Sequence, residues 1–376
     1  FKGIHRKEMK KFILISPKNR TVYNFRGDLV KDIIKAGYEV VVTGPNWIDV
    51  DRIEALGARF VGIPMEKNGV NPLHDLKYTW RLYKLMKKEK PDATLGYTIK
   101  PVIYGAIAAK LAGVKNITSM VTGAGYLFTA KTTKAKVVKM IGLMLYRMGI
   151  ACADRLIFQN QDDQKEFVAN GLLKFEKSCI VNGSGVNMEH FAKQPLPKKI
   201  TFFMLSRALY SKGVKEYLDA CRIVHKKHPE VRLMFLGAVE KMPDALAWEM
   251  VQSYIDDGSI EYFPETNDVR VFTGQCSMFV LPSYREGTPR TVLEAMAIGR
   301  GIITTDAPGC RETVKEGVNG YLVPVKNAEA VAEKMCYVAE HLELIEKMGE
   351  ESWKYCKEKF EVKKVNGSML EIMQLR

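Results

Sequence analysis

Two glutamates eight positions apart, Glu286 and Glu294, lie in the stretch Phe279-Val280-Leu281-Pro282-Ser283-Tyr284-Arg285-Glu286-Gly287-Thr288-Pro289-Arg290-Thr291-Val292-Leu293-Glu294. It reads as strand, loop and helix. Thr288 suits an N-cap and Pro289 a first helical residue, so the helix is expected to open there. The N–H groups and positive dipole end of such a helix favour an anion, a diphosphate in particular. Glu286 precedes Gly287, where a ligand can approach the backbone closely. Glu294 lies in the second turn, and its side chain leans back toward the helix start. Two carboxylates beside a phosphate make chemical sense if they hold hydroxyls, as on a sugar or a ribose. Spacing alone carries no weight, since Glu343/Glu351 and Glu350/Glu358 share it on what read as solvated helices. The context of the loop makes the difference.

A second set follows a strand-like run at Phe202-Phe203-Met204-Leu205-Ser206-Arg207-Ala208-Leu209-Tyr210-Ser211-Lys212-Gly213. Arg207 offers a planar fork and Lys212 a point charge, together enough to neutralise a diphosphate. Taken by itself, this stretch reads equally as two surface cations near a helix start. The six histidines are scattered, and His225 and His228, the two that are close, read as a polar helix end. No metal site is expected.

The elements that must position these residues are short apolar runs alternating with helical stretches, the pattern of a parallel α/β sheet. Strands are expected at Phe12–Ser16, Glu39–Thr43, Arg59–Ile63, Ala93–Tyr97, Asn116–Met120, Arg155–Gln159 and Cys179–Val181. A second series follows at Phe202–Leu205, Arg232–Leu236, Ser259–Tyr262, Met278–Leu281 and Gly301–Thr304. Between them, the polar stretch Phe191-Ala192-Lys193-Gln194-Pro195-Leu196-Pro197 reads as the linker. The 376 residues therefore divide into a first α/β domain at 1–193, a second at 200–355, and a C-terminal helix at 356–376 that crosses back to the first. Residues 1–8, ahead of Met9, read as a leader with no part in the fold. A ligand cleft is expected between the carboxyl ends of the strands.

With 47% apolar and 27% charged residues the composition is that of a globular protein, which excludes disordered and fibrous classes. No apolar run, Met140–Tyr146 among them, approaches the ~18 residues that cross a membrane. Seven cysteines with no CxxC pair point to free thiols in a reducing cytoplasm. The net charge of +14 is concentrated: residues 1–190 hold 31 Lys+Arg against 17 Asp+Glu, and residues 191–376 hold 26 of each. A basic first half suits an acidic partner. The segment 131–147 mixes Lys131, Lys134, Lys136 and Lys139 with bulky apolar residues. It reads equally as a membrane-surface helix and as a core-facing helix with a solvated lysine face. The segment 80–90 reads as the latter. Nucleic acid is not expected as a partner, because no RNP, KH, helix-turn-helix or zinc-finger pattern accompanies the charge.

Arg207-Ala208-Leu209-Tyr210-Ser211-Lys212-Gly213 together with the Glu286/Glu294 pair resembles the signature of the family 4 retaining glycosyltransferases. That family has the GT-B fold, two Rossmann-like parallel-sheet domains. Asn71-Pro72, Tyr97-Thr98-Ile99-Lys100-Pro101-Val102-Ile103-Tyr104-Gly105 and Thr122-Gly123-Ala124-Gly125-Tyr126 are similar to a bacterial branch that extends sugars on undecaprenyl diphosphate. The resemblance implies transfer of a hexose or N-acetylhexosamine from a UDP-sugar to a polyisoprenyl-diphosphate-linked sugar. It implies no metal or other cofactor, and a peripheral position on the cytoplasmic side of an anionic membrane reached through the basic first domain.

It also implies roles. Arg207 and Lys212 would bind the donor diphosphate, Glu286 with the Gly287 and Thr288 backbone would meet the sugar, and Glu294 the ribose. Gly27 would let the chain approach the donor. Arg26 would face the acceptor or belong to a helix-start loop, and Thr122 and Gly123 are acceptor-side candidates. Relatives carry a His or an acidic residue near Thr122, and this chain has none, so the proton acceptor is left open. Pro308-Gly309-Cys310-Arg311-Glu312 resembles a family loop in which Glu312 supports structure. One alternative is a same-fold transferase with a soluble acceptor, and another, from a different class, is a basic nucleic-acid-binding protein.

Overall fold

The computed structural model describes residues 9–66, 71–123, 133–240, 242–266 and 268–376. The chain forms two compact units, Phe1–Ser184 with Asn366–Arg376, and Gly185–Val365.

The first unit is built on a seven-stranded parallel sheet: β1 (Lys10–Ile15), β2 (Tyr38–Gly44), β3 (Arg59–Gly62), β4 (Ala93–Tyr97), β5 (Asn116–Val121), β6 (Arg155–Phe158) and β7 (Ser178–Ile180). Its order is β3-β2-β1-β4-β5-β6-β7. The central strands are continuous apolar runs because helices cover both faces, so alternation has no purpose there. Ile13, Leu14, Val41, Val42 and Leu95 are all fully buried. The second unit repeats the plan with β8 (Thr201–Leu205), β9 (Arg232–Leu236), β10 (Glu261–Phe263), β11 (Met278–Leu281), β12 (Gly301–Thr305) and β13 (Gly320–Val323), ordered β10-β9-β8-β11-β12-β13. The strand β13 is four residues long and begins at a glycine whose Cβ would fall 1.8 Å from the Ile302 carbonyl oxygen. Its brevity hides it in the sequence.

In each sheet the strand order reverses once, between β1 and β4 and between β8 and β11. In open α/β sheets, ligands bind outside the carboxyl ends of the strands at such a reversal. The Arg207–Gly213 segment leaves β8, and the Pro282–Pro289 segment leaves β11. Register brings the two strands together at Met278↔Phe202 and Phe279↔Phe203.

Three expectations are corrected. The proline-containing stretch near 195 is no free linker. Gln194 N–H donates to the Ile298 carbonyl at 3.0 Å. The fully buried Arg300 guanidinium donates to the carbonyls of Gln194 at 3.0 Å, Pro195 at 2.8 Å and Gly274 at 3.0 Å. Carbonyls that had no secondary-structure partner thus found one in a side chain from a distant helix end. The first unit ends at Ser184 rather than at 193. The return of the chain likewise falls inside the last helix, Val362–Ile372, rather than at 356. From residue 366 on the chain packs in the first unit, where Asn366 Nδ2 donates to Asp32 Oδ2 at 2.7 Å and Asn116 Nδ2 to the Met373 carbonyl at 2.5 Å.

All seven cysteines are free thiols, five of them buried. Among the described residues no helix is long and apolar enough to cross a membrane.

Candidate functional site

Leu205 ends β8 and the chain turns through Ser206 and Arg207 into a short turn, Tyr210–Lys212. Gly213 follows with φ +70, and a Cβ there would fall 2.0 Å from the Pro282 carbonyl oxygen. Only glycine fits the angle and the space. This close approach locks the β8 loop to the β11 loop, reinforced by Tyr284 N–H donating to the Ser211 carbonyl at 2.9 Å. Asp244 accepts from the Ser211 N–H at 3.2 Å and from its hydroxyl, pinning the turn from the other side.

Across that junction Lys212 Nζ donates to Glu286 Oε1 at 2.5 Å, with side chains 26% and 13% exposed. Ser283 Oγ donates to the same oxygen at 2.7 Å. The Glu286 N–H donates to the Pro308 carbonyl at 3.0 Å, and a Cβ on Gly309, at φ +76, would lie 2.2 Å from the Glu286 carbonyl oxygen. The carboxylate is therefore fixed through its side chain and its backbone alike. Arg207 is half-exposed, with its guanidinium 3.6 Å from Glu240 and 3.8 Å from the Met242 sulfur. Each of the two cations is matched by one carboxylate.

The helix after the loop starts at Arg290, one residue later than expected, and Pro289 rather than Thr288 is its N-cap. Proline has no side-chain oxygen, so it adds no acceptor for the first-turn N–H groups. Glu294 lies on this helix, 8% exposed. Arg290 Nε donates to Glu294 Oε1 at 2.9 Å, and its Nη1 donates to the Gly185 carbonyl. Burial raises the Glu294 pKa above the ordinary carboxylate value, and the Arg290 charge and hydrogen bond act against that rise. Gly287 is buried and Thr288 half-buried beside them.

The first-unit candidates form a separate group. Of the two readings of Arg26, acceptor-facing or at a helix start, its position is that of a helix start, as the N-cap of Gly27–Lys35. It is the joint between the helices Asn19–Phe25 and Gly27–Lys35, only 4% exposed. Its Nη2 lies 2.9 Å from the Met120 sulfur, and its guanidinium carbon 5.6 Å from the Tyr97 ring centroid. That contact places it at the end of β5, two residues before Thr122, which is half-buried, and Gly123, which is exposed at φ +138. Gly27 opens the following helix and is buried. Ala124, Gly125 and Tyr126 lie outside the described residues.

Several residues here had no assigned role. Tyr97 OH donates to Ser16 Oγ at 3.0 Å and lies 2.8 Å from Thr21 Oγ1, tying the loops after β1 and β4. Lys100 and Asp75 form a buried ion pair at 2.6 Å, and Tyr104 OH donates to the other Asp75 oxygen at 2.9 Å. Thr98 takes φ +69, unusual for a branched residue. In the second unit Glu240, Asp244, Ser283 and Arg290 were missed. Only Arg290 left a signal, its four-residue spacing from Glu294. Glu312 accepts from Lys359 Nζ at 3.1 Å. Among the described residues no three His, Cys, Asp or Glu side chains are grouped to hold a metal ion.

Two family models cover the chain in order. Residues 12–160 match the family described as glycosyl transferase 4-like, and residues 186–354 match glycosyl transferases group 1. The chain is a glycosyltransferase. It is 28% identical, over 87% of its own length and 88% of the relative's, to the N,N'-diacetylbacillosaminyl-diphospho-undecaprenol alpha-1,3-N-acetylgalactosaminyltransferase of Campylobacter jejuni. It is also 28% identical, over 71% of each chain, to the UDP-Gal:alpha-D-GlcNAc-diphosphoundecaprenol alpha-1,3-galactosyltransferase of Escherichia coli. A solved glycosyltransferase from Rickettsia africae matches the fold at TM-score 0.78 and 18% identity, over 98% of both chains. The Anabaena protein HepE, solved with UDP and glucose, matches at TM-score 0.76 and 16% identity, over 97% of this chain and 99% of its own. The fold is GT-B, and this glycosyltransferase carries its group 1 half on the unit that holds Arg207, Lys212, Glu286 and Glu294.

Proposed function

We propose that this enzyme transfers a hexose or N-acetylhexosamine, with retention and without a metal, from a UDP-sugar to a sugar on undecaprenyl diphosphate. The observation that carries this reading is the junction at the β8/β11 reversal, where Lys212 meets Glu286 and Arg207 lies on the same loop. A donor diphosphate arriving there exchanges with the carboxylates as the partner of both cations. The charge that builds up on the departing UDP is then met by fixed positive groups, and such preorganised electrostatics supply most of the rate enhancement in many enzymes.

With retention, the acceptor hydroxyl attacks the anomeric carbon from the face that UDP leaves. The C–O bond to the sugar forms as the C–O bond to phosphate breaks, and the hydroxyl proton passes to the leaving phosphate oxygen. Glu286, released from Lys212, accepts hydrogen bonds from the sugar hydroxyls, and Glu294 from the ribose. The two relatives named for diphospho-undecaprenol acceptors support the acceptor class. The basic first unit suits work at the cytoplasmic face of an anionic membrane, as part of cell-surface polysaccharide or glycan precursor synthesis.

The test is thermal stabilisation by UDP, GDP and ADP with EDTA present. Ligand at ~100 times its dissociation constant adds ~2.7 kcal/mol, and the expected result is a shift with UDP alone. Arg207→Ala and Lys212→Ala are expected to lower kcat by about 100- to 1,000-fold. A normal rate in either, or a shift that requires a metal, refutes the assignment.

A further inference from the structure

Every acidic side chain of the helix Pro72–Glu89 is turned inward. Asp75 is 4% exposed and paired with Lys100, and Glu89 is 8% exposed and paired with Arg59 and Lys11. Its lysines are turned outward: Lys77, Lys84, Lys87 and Lys88 are all exposed. The helix already has a core side in Tyr78, Leu82 and Met86, each no more than 3% exposed. Yet Leu73, Leu76 and Trp80 recur at i, i+3 and i+7 on the outward side, 77%, 68% and 53% exposed. Trp80 stacks on Tyr83 with ring centroids 5.3 Å apart, and Lys84 Nζ lies 5.2 Å from the Trp80 ring. The outward face is apolar in its first turns and basic in its last, and core packing explains neither. Glu66, which precedes the helix in sequence, is held by His74.

The helix Thr133–Cys152 repeats the arrangement. Tyr146 and Ile150 face the core, and a Cβ on Gly149 would lie 2.6 Å from the Ile103 Cα. On the other side Met140, Ile141, Met144 and Met148 are 65%, 44%, 67% and 49% exposed, with Arg147 exposed among them. The helix sequence holds Lys134, Lys136 and Lys139 and no Asp or Glu. Both helices pack against the helix Ala106–Ala112, which lies between them and exposes Lys110 and Leu111. Three neighbouring helices of one layer thus expose large apolar side chains and cations, and none of their own carboxylates.

We propose that this layer docks on an anionic bilayer. Leu73, Leu76, Trp80, Met140, Met144 and Met148 enter the headgroup–acyl boundary, and the lysines meet lipid phosphates. The pattern favours a bilayer over nucleic acid, because exposed leucine and methionine give nothing to a phosphate backbone. It deepens the lipid-linked-acceptor reading and rests on it: contact is by apolar insertion and not by net charge alone.

The test is sedimentation of the full chain with phosphatidylglycerol/phosphatidylethanolamine vesicles and with pure phosphatidylcholine vesicles. Binding to the anionic vesicles is expected, with a part that survives about 0.5 M salt, where attraction between exposed charges is screened. The triple variant Leu73→Ser, Leu76→Ser, Trp80→Ser and the pair Met140→Ser, Met144→Ser are each expected to lose about tenfold in partitioning and all of the salt-resistant part. All five positions are exposed, so melting curves should match the wild type. Undiminished binding in both variants, or wild-type binding abolished by salt, overturns the proposal. So does a dimer in sedimentation velocity that the same substitutions dissociate. Transfer to a short-chain, water-soluble lipid-diphosphate sugar separates the two readings. Both variants are expected to keep that activity, and its absence in the wild type with vesicle binding intact would sink the acceptor assignment and leave the docking face standing.

Discussion

Glu294 is a carboxylate that the fold keeps out of water, with Arg290 as its charged partner. Its raised pKa means that the folded, nucleotide-free protein holds the proton more tightly than the unfolded chain does. The stability it contributes is therefore complete below the ordinary value of 4.5 and is lost as pH rises through the raised one. Ribose hydroxyls that donate to the ionised form pull in the opposite direction. UDP affinity is thus expected to increase with pH across that window, with release of a proton, and Glu294→Gln to bind more weakly with the slope removed. Calorimetric titration in buffers of different ionisation enthalpy reads both. A flat profile in the wild type would remove Glu294 from the ribose. Lys212 and Glu286 pair directly across the loop junction, at 2.5 Å.

The loops after β8 and β11 act as one element because Gly213 allows them to touch. Gly213→Ala meets two obstacles, φ +70 and a carbonyl oxygen 2.0 Å from the new Cβ. Gly171→Ala meets only the first, at φ +64 with nothing within 4 Å. Urea unfolding should show a loss of about 1 kcal/mol for Gly171→Ala, the ordinary penalty of a left-handed alanine. For Gly213→Ala the loss should be about 2–4 kcal/mol, in the range of strain plus steric conflict. The UDP-induced thermal shift should shrink in Gly213→Ala alone. Equal losses in the two variants would mean that the loop contact contributes nothing. In the first unit, the buried Lys100–Asp75 pair and the Tyr97–Ser16 bond do the analogous work of fixing the loops after β1 and β4.

Over the whole molecule, charge and chemistry are divided between the units. The first 190 residues carry all of the +14, and the second unit carries the paired cations and carboxylates of the proposed donor site. Hydrogen exchange with UDP bound should therefore slow at 206–213 and 284–294, in the second unit. Slowing that falls on the first unit and spares those segments would reverse the assignment of donor and acceptor halves. The docking face belongs wholly to the first unit, so vesicles should protect 72–80 and 140–148 instead.

The amino-acid sequence determined the parallel α/β class and nearly every strand, because strands buried on both faces must be unbroken apolar runs whatever lies beside them. Arg207, Lys212 and Glu286 could be singled out as candidates for a related reason, as polar residues in the loops just past such runs, whereas Glu294 stands on the helix that follows. Tertiary structure alone decided which strands are neighbours, and so that Gly213 would seat against Pro282 and Lys212 against Glu286. It also buried Arg26, moved the helix start to Arg290, and drew the residues around Pro195 onto Arg300. The contacts that hold these three reach partners 94 or more positions away. Periodicity and propensity report on a few neighbouring residues, whereas burial and pairing are set by what the rest of the chain brings alongside.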